Sequence, residues 1–178
     1  MKLSPGDGVV LAVPPKPARF LVPDLAAPDD YRAIITVHFA VDAPIQFLGS
    51  QALTCLVNGA SNWLFANDGR LSVTISAADR HLATPHEELA RTVWQETAKA
   101  VQMTQSPLPP WQVVVEPRAT FAATPSQEGL RAAAKTRWNN FTLAGDWMAT
   151  GLPATLEGAI RSGQKAADAL MNPSMESR

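Results

Sequence analysis

The sequence predicts an α/β (α+β) chain: a mixed, largely antiparallel sheet with one amphipathic helix, then a short strand that runs into a second helix. Three observations predict it. Several short runs are rich in β-branched and aromatic residues and stop at Pro, Gly or Asp. Leu89, Val93, Ala100 and Val101, with Trp94 and Ala98 beside them, recur at helical spacing. The stretch from Phe141 to Leu170 passes from an apolar strand through Gly145-Asp146 into a helix of small residues.

Taken in order, Asp7–Val13 (DGVVLAV) is a short apolar strand of the kind buried on both faces of a parallel sheet, ending at Pro14-Pro15. Tyr31–Phe39 is a second strand, broken by Asp42-Ala43-Pro44. Asn62–Ala66 and Arg70–Ala77 flank Asn67-Asp68-Gly69, where Asp-Gly supplies the positive φ of a tight hairpin. Thr84 as cap, Pro85 in the first turn and Glu87 behind it start a helix that runs to about Met103. Trp111–Ala122 is the last strand of the sheet, with Pro117 marking a bulge or an edge. Residues 123–136 are small and polar, an exposed connection. Phe141–Ala144 is the final strand, and a helix starts near Pro153 with Ala154, Leu156, Ala159, Ile160, Ala166, Ala167 and Leu170 as its apolar and mostly small face.

Composition excludes several function classes. The 178 residues are 46% hydrophobic and 17% charged, enough apolar surface for a core and no signature of disorder. A net charge of -1 gives no attraction to nucleic acid or anionic lipid. Cys55 stands alone, which excludes an intrachain disulfide or cysteine cluster and fits a reducing cytoplasm. Val9–Val13 is far shorter than the roughly 20 residues a bilayer span needs. His38, His81 and His86 lack metal-ligand spacing, and His38 is expected to be packed within its strand. Ser76 and Ser162 sit in no GxSxG elbow. Of the five tryptophans only Trp147 has neighbours that suggest a ligand, and Arg118 reads better as a surface arginine than as an active-site one.

The strand, Gly-Asp, loop and helix segment suits a polyhydroxylated, electron-accepting ligand for two reasons. Asp146, just past a strand end, is an acceptor-only carboxylate for hydroxyls, and Gly145 leaves room beside the backbone. Unpaired amides at the helix start, near Pro153–Thr155, carry partial positive charge that would stabilise a reduced ring. By spacing alone, an ordinary Gly-Asp turn before a closely packed helix is the competing reading.

Resemblance adds to this. Ala144-Gly145-Asp146-Trp147, Thr150–Thr155 (TGLPAT) and Glu157–Gly163 (EGAIRSG) together resemble the carboxy-terminal FAD motif of the amine oxidase and phytoene desaturase superfamily. Within it, TGLPAT is most similar to the squalene-associated FAD-dependent desaturases, or hydroxysqualene dehydroxylases, of hopanoid-making bacteria. VVLAVPP at Val9–Pro15, RLSVTISAA at Arg70–Ala78, PLPPW at Pro107–Trp111 and RATFAATP at Arg118–Pro125 are similar to the same family in the same order. The resemblance implies residues 1–16 as a strand of a Rossmann-like FAD domain, 17–135 as part of a substrate-binding domain, 136–172 as the FAD motif and 173–178 as a tail. It implies that Asp146 binds the ribityl chain of FAD and that Gly145 and Trp147 line it. Leu152, Pro153, Ala154 and Thr155 would sit at the isoalloxazine edge, with Val13 and Pro14 at the strand end nearby.

The GxGxxG turn with which such flavoproteins hold the ADP half of FAD is absent, since Gly6 and Gly8 precede the first strand. The chain therefore reads as a fragment or split product, expected to bind FAD weakly or not at all by itself and to expose the apolar edge of its first strand. The resemblance implies reductive dehydroxylation of hydroxysqualene to squalene, with an isoprenoid lipid as substrate. A phytoene-type desaturase, or a non-catalytic half-enzyme needing a separately encoded FAD-binding chain, are the alternatives. A lipid-like substrate would suggest peripheral membrane contact, though no basic amphipathic helix shows it. No acid, base or nucleophile stands out as catalytic.

Overall fold

The computed structural model describes residues 4, 6–41, 53–57, 59–67, 69–103 and 107–172. The Asp42-Ala43-Pro44 break, Asp68 of the hairpin turn and the 173–178 tail lie outside them. The chain forms two compact units, one of residues 1–31 with 120–178 and one of residues 32–119. The boundaries expected at 16/17 and 135/136 divide the chain by cofactor and substrate contact, which compactness does not address.

The second unit is built on a five-stranded sheet of order β3-β4-β5-β2-β6. Its strands are β2 (Tyr31–Ala40), β3 (Leu53–Cys55), β4 (Trp63–Asn67), β5 (Arg70–Ile75) and β6 (Trp111–Phe121). The hairpin of β4 and β5 forms where Asp-Gly predicts it, with Asn67 opposite Arg70 and Gly69 at φ +66°. Alternation sorts the faces. Ile35, Val37 and Phe39 of β2, Leu64 of β4 and Leu71 and Val73 of β5 point into the core. Helix α2 (His86–Ala100) covers that face with Leu89, Ala90, Val93, Trp94 and Ala98, and Trp94 meets Phe39 at 5.1 Å between ring centroids. Pro85 itself takes the cap position of α2, and no side chain caps the helix, so Thr84 does not serve as predicted.

Glu96 of α2 reaches the loop between β3 and β4, where its two carboxylate oxygens accept from the amides of Ala60 (2.9 Å) and Ser61 (3.0 Å). Burial pushes this carboxyl up. The Ser61 hydroxyl, the two amides and Lys99 together outweigh burial and hold it below the usual carboxylate range. The Ser61 hydroxyl acts by proximity, since it is buried without meeting hydrogen-bond geometry to any described group.

The first unit holds β1 (Val9–Leu11) and β7 (Phe141–Leu143), paired parallel in register Val9 to Phe141 and Leu11 to Leu143. Val10 is 42% exposed, so β1 is not buried on both faces as its apolar run suggests; among the described residues it has one neighbour strand and a bare side. Pro14-Pro15 ends the strand and also begins a helix that the sequence reading missed, α1 (Pro15–Leu21), because a fixed φ near -65° at the first turn is already helical. The core here is Ala18, Val22, Ala27, Phe121, Leu143, Trp147 and Met148.

Residues 123–136 are not a plain exposed connection. Thr124 caps a short helix, α3 (Pro125–Glu128), and Gln127 and Arg131 are buried. The Gln127 amide oxygen accepts from Asp29 N (2.8 Å) and Asp30 N (3.2 Å), while its nitrogen donates to the Asp29 carboxylate (3.0 Å). That donation, with Arg19, holds the Asp29 carboxyl below its usual value.

Helix α4 (Leu156–Met171) starts three residues later than Pro153 predicts. Thr155 is its cap, accepting from Gly158 N at 3.1 Å. Its buried face is Gly158, Ser162 and Ala166, spaced by four, whereas Leu156 and Ile160 point outward. The helix must approach β7 closely enough for Thr142 Oγ1 to donate to Ala166 O (3.3 Å), which selects the smallest side chains for the inside face.

Candidate functional site

Because β1 and β7 are parallel, their carboxyl ends lie side by side, and this is where ligands settle on open parallel sheets. Val13 and Pro14 follow one strand and Gly145-Asp146-Trp147 the other. The two ends are tied together: Trp147 Nε1 donates to Val13 O at 3.0 Å. Gly145 has φ +152°, and a Cβ there would lie 2.6 Å from Trp147 Nε1, so glycine is what lets the indole fold back. The Gly145 amide donates to Ser162 Oγ (2.8 Å), which in turn donates to Ala159 O (2.7 Å), fastening the turn to α4.

The structure thus brings Val13, Gly145 and Trp147 into direct contact. Leu152, Pro153, Ala154 and Thr155 form the lead-in to α4, where Gly158 permits close approach, since a Cβ on it would stand 2.8 Å from Pro153 O. No hydrogen bond joins Asp146 to Leu152–Thr155. Asp146 is half-buried, and among the described residues its carboxylate accepts no hydrogen bond. Trp147 is 1% exposed, backbone included, so it packs beneath the turn and leaves the half-buried Asp146 as the group open to a ligand.

Among the described residues, polar groups without a partner remain at the turn and at the start of α4. The first free amides of the helix itself are those of Leu156 and Glu157, because it begins later, and among the described residues the amides of Ala154 and Thr155 just before it are also unpaired. Among the described residues the amides of Asp146 and Trp147 are also unpaired. A carboxylate for hydroxyls beside free amides for an anionic or electron-rich group is a donor set that fits a flavin nucleotide. Cavities of about 520, 220 and 290 Å³ in this unit are lined elsewhere, by Lys165 and Asp168, by Arg137 and Trp138, and by Val9 and Phe141.

Two residues escaped the sequence reading. Ser162, noted in the sequence only for lying outside any GxSxG elbow, is fully buried and holds Gly145. Arg131 is buried and donates to the carbonyls of Asp146 (3.4 Å), Trp147 (3.3 Å) and Met148 (2.5 Å). Its charge is met by Glu128 at 2.9 and 3.1 Å, and it lies 5.3 Å from the centre of the Phe121 ring. Glu128 three residues before Arg131 was the available signal, but such pairs usually sit in solvent.

In the second unit His38 is not packed in the core. It lies half-exposed on the open face of the sheet, hydrogen bonded through Nδ1 to Ser72 Oγ at 2.8 Å, in a cross-strand row with Phe65 and Leu53. Arg118 is exposed. Among the described residues no three His, Cys, Asp or Glu side chains converge on a metal site, and no helix is long and apolar enough to cross a membrane.

The chain is 52% identical over 169 residues to a hydroxysqualene dehydroxylase of Rhodopseudomonas palustris and 49% identical over 166 residues to one of Sinorhizobium fredii, covering 95% and 93% of this chain. It spans about 40% of the length of these curated relatives. A chloroplast 15-cis-phytoene desaturase of an Oncidium hybrid cultivar is 27% identical over 111 residues, covering 59% of this chain and 19% of its own. Among solved structures, a putrescine oxidase double mutant superposes with a TM-score of 0.61 at 16% identity, over 92% of this chain and 42% of that one, which shows a shared fold. The model of the flavin containing amine oxidoreductases matches residues 2–171, and the chain belongs to that family.

Proposed function

We propose that this chain supplies the flavin-contacting segment of an FAD-dependent oxidoreductase that reductively dehydroxylates hydroxysqualene to squalene. The convergence of Val13, Gly145, Asp146 and Trp147 at the carboxyl end of a parallel strand pair carries the flavin assignment. Relatives near 50% identity named hydroxysqualene dehydroxylase support the substrate.

In this reading the Asp146 carboxylate accepts from ribityl hydroxyls and Gly145 gives the chain passage. The first amides of α4, at Leu156 and Glu157, favour negative charge on the ring. Leu152–Thr155 form the edge on which the ring rests, and Val13 and Pro14 close the other side. Bound and reduced, FAD supplies hydride to the carbon that loses its hydroxyl, which departs with a proton as water.

The test has two parts. The complete enzyme, loaded with flavin, is incubated with hydroxysqualene, and separately with phytoene, and the products are identified by mass spectrometry. Squalene from the first supports the proposal. Desaturated product from the second supports the phytoene-type reading, which the weaker Oncidium match favours, and no product from either overturns the assignment. In parallel, Asp146→Asn removes a charged acceptor and is expected to weaken FAD at least about tenfold without loss of fold.

A second reading, assembly with a separately encoded FAD-binding chain, is supported by apolar side chains on the surface of the first unit: Val10 at 42% exposure, Phe20 at 88% and Leu156 at 86%. Flavin binding only after mixing two chains would establish it. Peripheral membrane contact follows from the lipid substrate alone, and sedimentation with vesicles tests it.

A further inference from the structure

We propose that Arg131 is the positioning residue of the flavin turn, setting the Asp146 carboxylate toward the cofactor by gathering three successive carbonyls on the opposite side. The inference rests on the flavin reading above and adds to it a residue outside the motif.

The guanidinium is planar, with five donors in a fixed fork. Its side chain is 2% exposed, and it donates to the oxygens of Asp146, Trp147 and Met148 while Glu128 meets its charge. In a trans peptide the carbonyl of one residue and the amide of the next point in opposite directions. With the Asp146 carbonyl drawn to Arg131, the Trp147 amide is turned away from the guanidinium, and it is unpaired among the described residues. Beyond it the turn is bonded within the chain: Met148 N donates to Gly145 O (3.3 Å) and Ala149 N to Ala132 O (2.9 Å), next to Arg131. Burying a cation is costly unless it is paired and fully hydrogen bonded. Three carbonyls and a carboxylate satisfy it here, so the turn and the arginine hold one another in a single arrangement. A purely apolar residue could fill the space beside Phe121, but it could not orient three carbonyls.

Lysine preserves the charge without the fork, and methionine preserves the stem without either. In the flavin-free chain, Arg131→Met is expected to speed amide exchange at Met148 and Ala149 at least about tenfold. Leu143 and Ala144, held by Ala134 O and Leu11 O, should stay as protected as in the wild type. Titration with FAD, followed by amide chemical shifts sensitive to millimolar binding, is expected to move Asp146 and Trp147 in the wild type. The same shifts should need at least about tenfold more FAD in Arg131→Met, with Arg131→Lys between the two. Should the methionine variant fail to fold, the lysine variant carries both measurements. Wild-type exchange and wild-type FAD response in a folded variant would overturn the inference. A faster turn with unchanged FAD affinity would reduce Arg131 to a structural role and overturn it too. No FAD response in the wild type even when the chain is completed by a GxGxxG-bearing segment, with exchange still altered by the variant, would instead refute the flavin reading and the cofactor part of the inference with it.

Discussion

The indole N–H of Trp147 donates to the carbonyl of Val13 at 3.0 Å, and this one bond links segments 134 residues apart at the end of the β1 and β7 pair. Trp147→Phe keeps an aromatic ring but leaves a carbonyl without its donor and a smaller side chain in a buried site. Unfolding free energy is expected to fall by about 2 kcal/mol. Urea denaturation compared with the wild type checks it, and an unchanged midpoint would show the bond to be dispensable.

Gly145→Ala strikes the same contact from the other side. The new Cβ would meet the indole nitrogen at 2.6 Å on a backbone at φ +152°, so either the ring or the turn must move. A loss of about 1 to 3 kcal/mol is expected, together with shifted resonances for Trp147 and Ser162. Wild-type stability and an unshifted indole signal would contradict the packing described.

Glu96 gives the second unit a pH dependence of known sign. Its folded carboxyl titrates below the usual range, so its contribution is fully present above the unfolded value and is lost as pH falls through the lowered folded one. Glu96→Gln offers one acceptor oxygen for two amides and turns an NH2 toward the other. The variant is expected to be less stable by about 1.5 to 3 kcal/mol near neutral pH, and the gap should close in acid. Denaturant midpoints across pH check this, and a gap independent of pH would show that the charge is not what holds the loop.

Much of the fold was legible because it rests on local rules. Alternation in YRAIITVHF, Asp-Gly between two such runs and the spacing of Leu89, Val93 and Trp94 each reflect a backbone period that neighbouring residues alone impose. The site was partly legible in the same way, since Gly145-Asp146 and Thr155 act through their own stretch of chain. What misled was burial. Leu156 and Ile160 look like core, yet Gly158, Ser162 and Ala166 are what face inward, because proximity of the helix to β7 decides which side can be buried.

By itself, then, the sequence determined the element types, the hairpin, the strand, Gly-Asp and helix order, and the family resemblance, all of which depend on residues close together along the chain. Tertiary structure alone decided that Val13 meets Trp147, that Ser162 holds Gly145, and that Arg131 gathers the carbonyls of the turn. These are hydrogen bonds between groups 15 to 134 residues apart, and no local propensity specifies them: they exist because parallel pairing of β1 with β7 brings remote donors and acceptors out of water together, where each must find a partner.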